Sequence, residues 1–420
     1  MLAETSLAER LEYRRGSCGD VLDRARRFTV TRELRRRGLY PFFQAIEEDA
    51  GPVVRVDGRQ LVMLGSNDYL GLSKHPRVRA AAADAIARWG TSCTGSRLLN
   101  GSRTIHEELE ERLARFLGAE AAVVFATGYQ ACAGTLSALL GPKDTAVADE
   151  LAHASLIDGV RLGRARLRRF RHNDAGDLAR ALACCNGDGG GRLIVVDGVY
   201  SMEGDLADLP AIAGQARCAP ARLVVDDAHG LGTVGPGGRG TAAAFGLGAA
   251  VDVTLITFSK ALASVGGAAA GPEAVIELIR HTARPMLFSA SLPPVCAAAA
   301  GAALSVIEEE PGRRRRLERN ARFWRRGLRA LGFEVAPAGG PIVPLRVGDE
   351  SATLAFWRAL VERGLFVNVA LFPAAPRERP LLRTSVIAGH SLRHLERALE
   401  IVEAALRGRG ARAGGWSLRR

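Results

Sequence analysis

Along the chain, short continuous apolar runs alternate with segments whose apolar positions recur at helical spacing. Four runs carry the strand signal: residues 121–125 (AAVVF), 193–196 (LIVV), 223–225 (LVV) and 253–257 (VTLIT). They are apolar throughout instead of alternating, as strands covered on both faces require, and helical segments separate them. This predicts an α/β fold with a mostly parallel central sheet and helices on both faces. Upstream, residues 30–40 (VTRELRRRGLY) have helical spacing, and residues 53–64 read as a hairpin turning at Asp57-Gly58. After residue 310 the pattern changes to helix (313–331), strand (342–347), helix (351–364), a further strand and helix (391–406), a smaller C-terminal α+β domain. The expected division is a helical and hairpin segment at 1–65, a large domain at 66–309, a small domain at 310–408 and a disordered tail at 409–420.

Composition narrows the class. At 420 residues, 47% hydrophobic and 24% charged, the chain excludes collagen, wholesale disorder and a small disulfide scaffold. A net charge of +12 invites a nucleic-acid reading. The arginines are spread along the chain beside acidic residues, however, and aromatics at 5% are too few for a base-stacking surface, so no nucleic-acid partner is expected. The charge suits an anionic substrate or an acidic protein. Seven cysteines, an odd number without CxxC spacing, indicate neither a disulfide framework nor a zinc site, so no metal is expected and a reducing cytoplasm fits. The first residues (MLAETSLAERLEYRRG) lack an apolar signal core, and the longest weakly apolar stretch, 295–307, is too short to span a bilayer.

Of the 57 basic residues, only Lys74, Lys143 and Lys260 are lysine. Lys74 and Lys143 stand in turn chemistry. Lys260 follows a buried strand, where an ordinary ammonium is expensive. In a chain that otherwise uses arginine, that position calls for an amine able to lose its proton, which makes Lys260 the candidate Schiff-base lysine. The other strand ends complete a set suited to a flat, phosphorylated, cationic-ring cofactor, pyridoxal 5′-phosphate (PLP). Gly128 and Tyr129 open a helix where backbone N–H groups can hold a phosphate, with Thr257 and Ser259 beside them. Asp226 suits a ring nitrogen, His229 and Ser201 suit a ring oxygen, and His153 suits the ring face. Each signal alone has a plainer explanation: a structural turn glycine, an Asp capping the next helix, a core histidine.

Taken together, these segments resemble the α-oxoamine synthases, PLP enzymes of aminotransferase fold type I. The matching segments include residues 65–76 (GSNDYLGLSKHP), 93–102 (CTGSRLLNGS), 148–159 (ADELAHASLIDG), 225–235 (VDDAHGLGTVG), 257–267 (TFSKALASVGG) and 381–390 (LLRTSVIAGH). Residues 93–102, 281–294 and 340–347 are most similar to the soluble bacterial serine palmitoyltransferase branch, whereas residues 367–376 (VNVALFPAAP) depart from its usual form. The resemblance implies that Lys260 carries PLP and removes the amino acid's Cα proton, with Asp226, His229 and His153 as further catalytic groups. Asn67, Ser96 and Arg383 would bind the amino-acid carboxylate. The carbanion would attack an acyl thioester, on CoA or an acyl carrier protein, and lose CO2. The expected amino acid is serine, with a palmitoyl-like donor; glycine or alanine with another thioester is the alternative. The resemblance also implies a homodimer with shared active sites, residues 288–291 (FSAS) contributing phosphate contacts across the interface.

Overall fold

The computed structural model describes residues 20, 22–185, 189–336 and 339–410. The helical alternation expected before residue 20 and the tail expected after residue 410 lie outside the described residues. The chain divides into two compact units. One is built on residues 67–318; the other combines residues through 66 with those from 319 onward, apart from a short return at 339–340.

The larger unit is organised by a seven-stranded sheet: β1 (Ala121–Phe125), β2 (Thr145–Asp149), β3 (Arg166–Phe170), β4 (Arg192–Asp197), β5 (Arg222–Asp226), β6 (Val253–Thr257) and β7 (Gly267–Gly271). Their spatial order is β1-β7-β6-β5-β4-β2-β3. β7 runs antiparallel to both neighbours and the remaining pairs are parallel. The four apolar runs read from the sequence fall on β1, β4, β5 and β6. Successive residues face opposite layers: Val195 and Val224 join one core cluster with Leu136 and Leu156, while Ile194, Val196 and Val225 join another with Leu209 and Ile212. Both faces of β4 and β5 are therefore dry, and these strands present polar groups at their ends.

Two further strands have physical signatures opposite to the usual one. β3 (RLRRF) buries only Phe170 fully, and it lies at the sheet edge. The basic run at 161–171 is thus partly an edge strand, whose charged side chains discourage pairing with another chain. β7 (GAAAG) is wholly buried yet made of the smallest residues. A Cβ on Gly267 would stand 2.6 Å from the Gly128 Cα, so the start of the helix after β1 rests directly on this strand.

In the smaller unit, Val53–Val56 and Arg59–Met63 form the expected hairpin, with Asp57 and Gly58 both at positive φ (48° and 72°), the type I′ requirement. Leu365–Phe366 pairs parallel with Arg59–Met63. The N-terminal segment and the C-terminal region, expected as separate pieces, therefore share a sheet and belong to one unit. A second sheet places Leu381–Ser385 between Ile342–Leu345 and Asn368–Ala370. Trp324, fully buried, donates from Nε1 to Thr384 Oγ1 at 2.9 Å and fixes this sheet against its helix. No helix among the described residues is long and apolar enough to cross a membrane.

Candidate active site

The carboxyl ends of β1, β2, β4, β5 and β6 open onto one cavity of about 390 Å³. This is where an open α/β sheet binds its ligand, because the strand hydrogen bonds stop there and the following helices start. Gly128, Tyr129, Thr257 and Ser259 line one side; His153, Asp226, His229 and Lys260 line the rest. Eight residues singled out in the sequence are thus brought together from four separate segments.

The phosphate-sized corner is built from close contacts. Thr127 caps the Gly128–Leu139 helix, its Oγ1 accepting from Gln130 N at 3.1 Å, which leaves the first-turn N–H groups of Gly128 and Tyr129 for a ligand. A Cβ on Gly128 would lie 2.5 Å from Thr257 Oγ1, so only glycine fits. Thr257 and Ser259 hydroxyl oxygens are 3.0 Å apart. Tyr129 is half-exposed, and its hydroxyl donates to Asp158 at 2.7 Å.

His153 caps the Ala154–Leu162 helix. The Ser155 backbone N–H reaches His153 Nδ1 at 3.3 Å, and the Ser155 hydroxyl lies 2.7 Å from the same nitrogen. A backbone N–H can only donate, so Nδ1 is an acceptor and Nε2 carries the proton in the neutral ring. Burial lowers the pKa of His153, with Asp226 pulling the other way and Lys260 adding to the decrease, which favours that neutral form. His153 N also donates to Asp197 at 3.0 Å. Burial, reinforced by the Asp226 charge, pushes the Asp197 carboxyl well above the ordinary range.

Asp226 ends β5 and is buried; its carboxylate accepts from Ala228 N at 3.0 Å and from Cys132 Sγ at 3.4 Å. His229 Nδ1 lies 2.6 Å from the Tyr69 hydroxyl, which in turn donates to Asn67 Oδ1 at 3.1 Å. Asn67 therefore connects to the site through Tyr69 but does not line the cavity. Lys260 follows β6 in a turn and is half-buried, with Gly266 closing the same wall. A Cβ on Gly266 would come within 2.3 Å of the Phe258 ring, so the backbone there must approach closely.

The remaining sequence candidates lie elsewhere. Ser201 is in the turn after β4 and Ser96 in the loop at 93–102; neither lines the cavity. That loop packs against residues 288–292 through Ser291 N to Gly95 O at 2.9 Å, and Ser289 accepts from Gln130 Nε2 at 3.0 Å. Arg383 belongs to the other unit, buried on the Leu381–Ser385 strand. Cys132, Ser155, Asp197 and Tyr69 were not assigned roles from the sequence. Ser155 and Tyr69 stand inside quoted motifs, but Cys132 looks like any small core residue on an apolar helix.

The residues present fit PLP. The corner admits no side chain at Gly128, hydroxyls converge there, and a carboxylate, an imidazole and the primary amine of Lys260 face the same space. Among curated proteins, the serine palmitoyltransferase of Bacteriovorax stolpii is 44% identical over 89% of each chain. The 8-amino-7-oxononanoate synthase of Geobacter sulfurreducens is 44% identical over 87% of this chain and 94% of its own. Among solved structures, serine palmitoyltransferase from S. paucimobilis with PLP and myriocin bound superposes with a TM-score of 0.90 at 35% identity, covering 93% of this chain and all of that one. Residues 59–402 match the aminotransferase class I and II family. The chain therefore belongs to the aminotransferase class I and II family of PLP-dependent enzymes, with the fold type I architecture.

Proposed function

We propose that the protein catalyses a decarboxylative condensation of an amino acid, L-serine, with a long-chain acyl thioester to give an α-oxoamine, CO2 and a free thiol. The observation that carries this reading is the convergence of Lys260, Asp226 and His153 on one cavity, with an anion-binding helix start at its edge. In our assignment Lys260 and Asp226 would hold the cofactor at its aldehyde carbon and ring nitrogen. Gly128, Tyr129, Thr257 and Ser259 would hold its phosphate, with His229 on the ring oxygen; Ser201, which does not line the cavity, is assigned there from the sequence alone. Bound there, PLP supplies an electron sink for the charge that develops at the amino acid's Cα.

The chain's own groups supply the rest. The Lys260 amine, once freed, takes the Cα proton; a guanidinium, with delocalised charge and no readily lost proton, could not. Arg383, with Asn67 and Ser96, would clamp the substrate carboxylate; guanidinium suits that bidentate contact. The Nε2–H of neutral His153 is available to donate to the carboxylate and then to the thioester carbonyl oxygen. The Cα–acyl bond forms as the C–S bond breaks, the thiolate leaves, and the carboxyl departs as CO2.

Serine and a palmitoyl-like donor are supported by the names of the relatives and by segments 93–102 and 281–294. With palmitoyl-CoA the product would be 3-oxosphinganine. The similarity to 8-amino-7-oxononanoate synthase supports a second, weaker reading, with glycine or alanine and another thioester. We further assign the enzyme to the cytoplasm as a homodimer with shared active sites. The described cysteines are all unpaired, which suits a reducing compartment. Titrating the holoenzyme with serine, glycine and alanine while following its visible spectrum tests the substrate. A saturable change with serine is expected; a change with glycine or alanine alone would remove the serine assignment.

A further inference from the structure

Outside the cofactor cavity, the larger unit contains a second hollow of about 560 Å³. Four guanidinium groups surround it: Arg112 and Arg115 from the Thr104–Leu117 helix, Arg239 from the loop after His229, and Arg314 from the Pro311–Ala330 helix. Glu308 is the one carboxylate among its lining residues. Arg112 donates to Ser305 Oγ at 2.8 Å and approaches Glu308 at 3.8 Å. The guanidiniums of Arg115, Arg239 and Arg314 have neither a hydrogen-bond nor an ion-pair partner among the described residues. Elsewhere in the same unit arginines around a hollow are neutralised, as Arg97 and Arg280 are by the buried Glu110.

The hollow is also pre-formed. Buried Phe116 and Ile307 contribute apolar wall. A Cβ on Gly238 would stand 3.3 Å from Arg314 Nη1, so the missing side chain leaves room for that guanidinium. The loop carrying Arg239 is closed on itself: Gly232 N donates to Gly238 O at 2.7 Å, and Leu231 bridges Arg239. Its base is clamped by buried Asp227, which accepts from both the N–H and the hydroxyl of Thr241 at 2.6 Å. Three unneutralised planar guanidiniums beside apolar wall suit a ligand with several phosphate oxygens and a flat apolar part. The volume falls within the range of small-molecule sites.

We propose that this hollow binds a nucleoside diphosphate group, separately from the PLP cavity. That group could come from a free nucleotide or from the nucleotide end of a CoA thioester, and the chemistry of recognition is the same. The test is calorimetric titration of the holoenzyme with ADP at low salt, repeated on Arg115→Ala/Arg239→Ala, with thermal melting to check the fold. Both side chains are exposed and make no hydrogen bond or ion pair among the described residues, so the fold is expected to persist. Saturable 1:1 binding that weakens about tenfold or more in the double variant is the expected result. Absence of saturable binding, or equal affinity in the variant, would overturn the proposal. Binding is read without turnover, so its failure is distinguishable from failure of the condensation reading. CoA that displaces ADP, with a raised KM for the acyl-CoA in the variant, assigns the group to the thioester donor. ADP binding unaffected by CoA assigns it to a free nucleotide.

Discussion

Cys132 Sγ donates to Asp226 Oδ2 at 3.4 Å, from the Gly128–Leu139 helix that packs on the sheet. Burial, and then the charge of Asp226, push the thiol's pKa well up, so it stays protonated and can donate. The contact fixes one carboxylate oxygen while Ala228 N fixes the other. We expect Cys132→Val, which keeps the volume but removes the donor, to lower kcat by roughly threefold to tenfold, a loss of about 1 kcal/mol. Cys132→Ser should retain most of the rate. Equal kcat in wild type and Cys132→Val would remove the positioning role.

Gly128→Ala should damage cofactor retention more than folding. Its Cβ would be 2.5 Å from Thr257 Oγ1, and relief would move either the helix start or the hydroxyl. Overpacking of this kind costs about 1–3 kcal/mol. Visible absorbance remaining after dialysis should fall by about tenfold while the helical circular dichroism persists. Full retention of colour would contradict the cradle.

The turns after β2, β3 and β4 are joined by His172. Its Nδ1 lies 3.1 Å from Asp149 and its Nε2 2.9 Å from Asp205, and its ring meets Tyr200 edge-on. Burial alone would lower the pKa of His172, but hydrogen bonds and charge from Asp149 and Asp205 outweigh it and raise the value to about 10. A raised folded-state pKa means the stabilisation is fully present below the unfolded value near 6.5 and is lost as pH rises through about 10. Thermal melting should therefore show wild type losing stability between about pH 7 and 10, with the difference from His172→Gln shrinking over that interval. At neutral pH the substitution should cost about 3–5 kcal/mol, because it removes the cationic partner of the buried Asp149 carboxylate. A pH-independent difference would contradict the charged triad.

Lys260→Ala should abolish turnover, since no other amine lines the cavity. The purified wild type should be yellow and the variant should lack that band. A variant that keeps both band and turnover would place the chemistry elsewhere.

Much of this was legible in the sequence, and the omissions have physical causes. The continuous runs at 121–125, 193–196, 223–225 and 253–257 identified strands because a doubly covered strand has no polar face to interrupt it. β3 is charged because it is an edge, and β7 is Gly and Ala because the start of the Gly128–Leu139 helix rests on it, so neither resembles a strand locally. Lys260 and Asp226 were visible because each has polar chemistry at the end of an apolar run, whereas His153 follows Thr145–Asp149, a strand not among those runs, and stood out only with the other cofactor groups. Cys132 was not, since its role arises only when the helix after β1 crosses the end of β5, a tertiary fact. The pairing of Leu365 with Val62 is likewise invisible to local pattern, because the two lie at opposite ends of the chain.

The most direct test of the condensation is product analysis after incubating holoenzyme with carboxyl-labelled L-serine and palmitoyl-CoA. The account predicts free CoA, labelled CO2 in equal amount, and an unlabelled lipid with the mass of 3-oxosphinganine, all absent with Lys260→Ala. Transfer of the amino group to a keto acid without thiol release would contradict it.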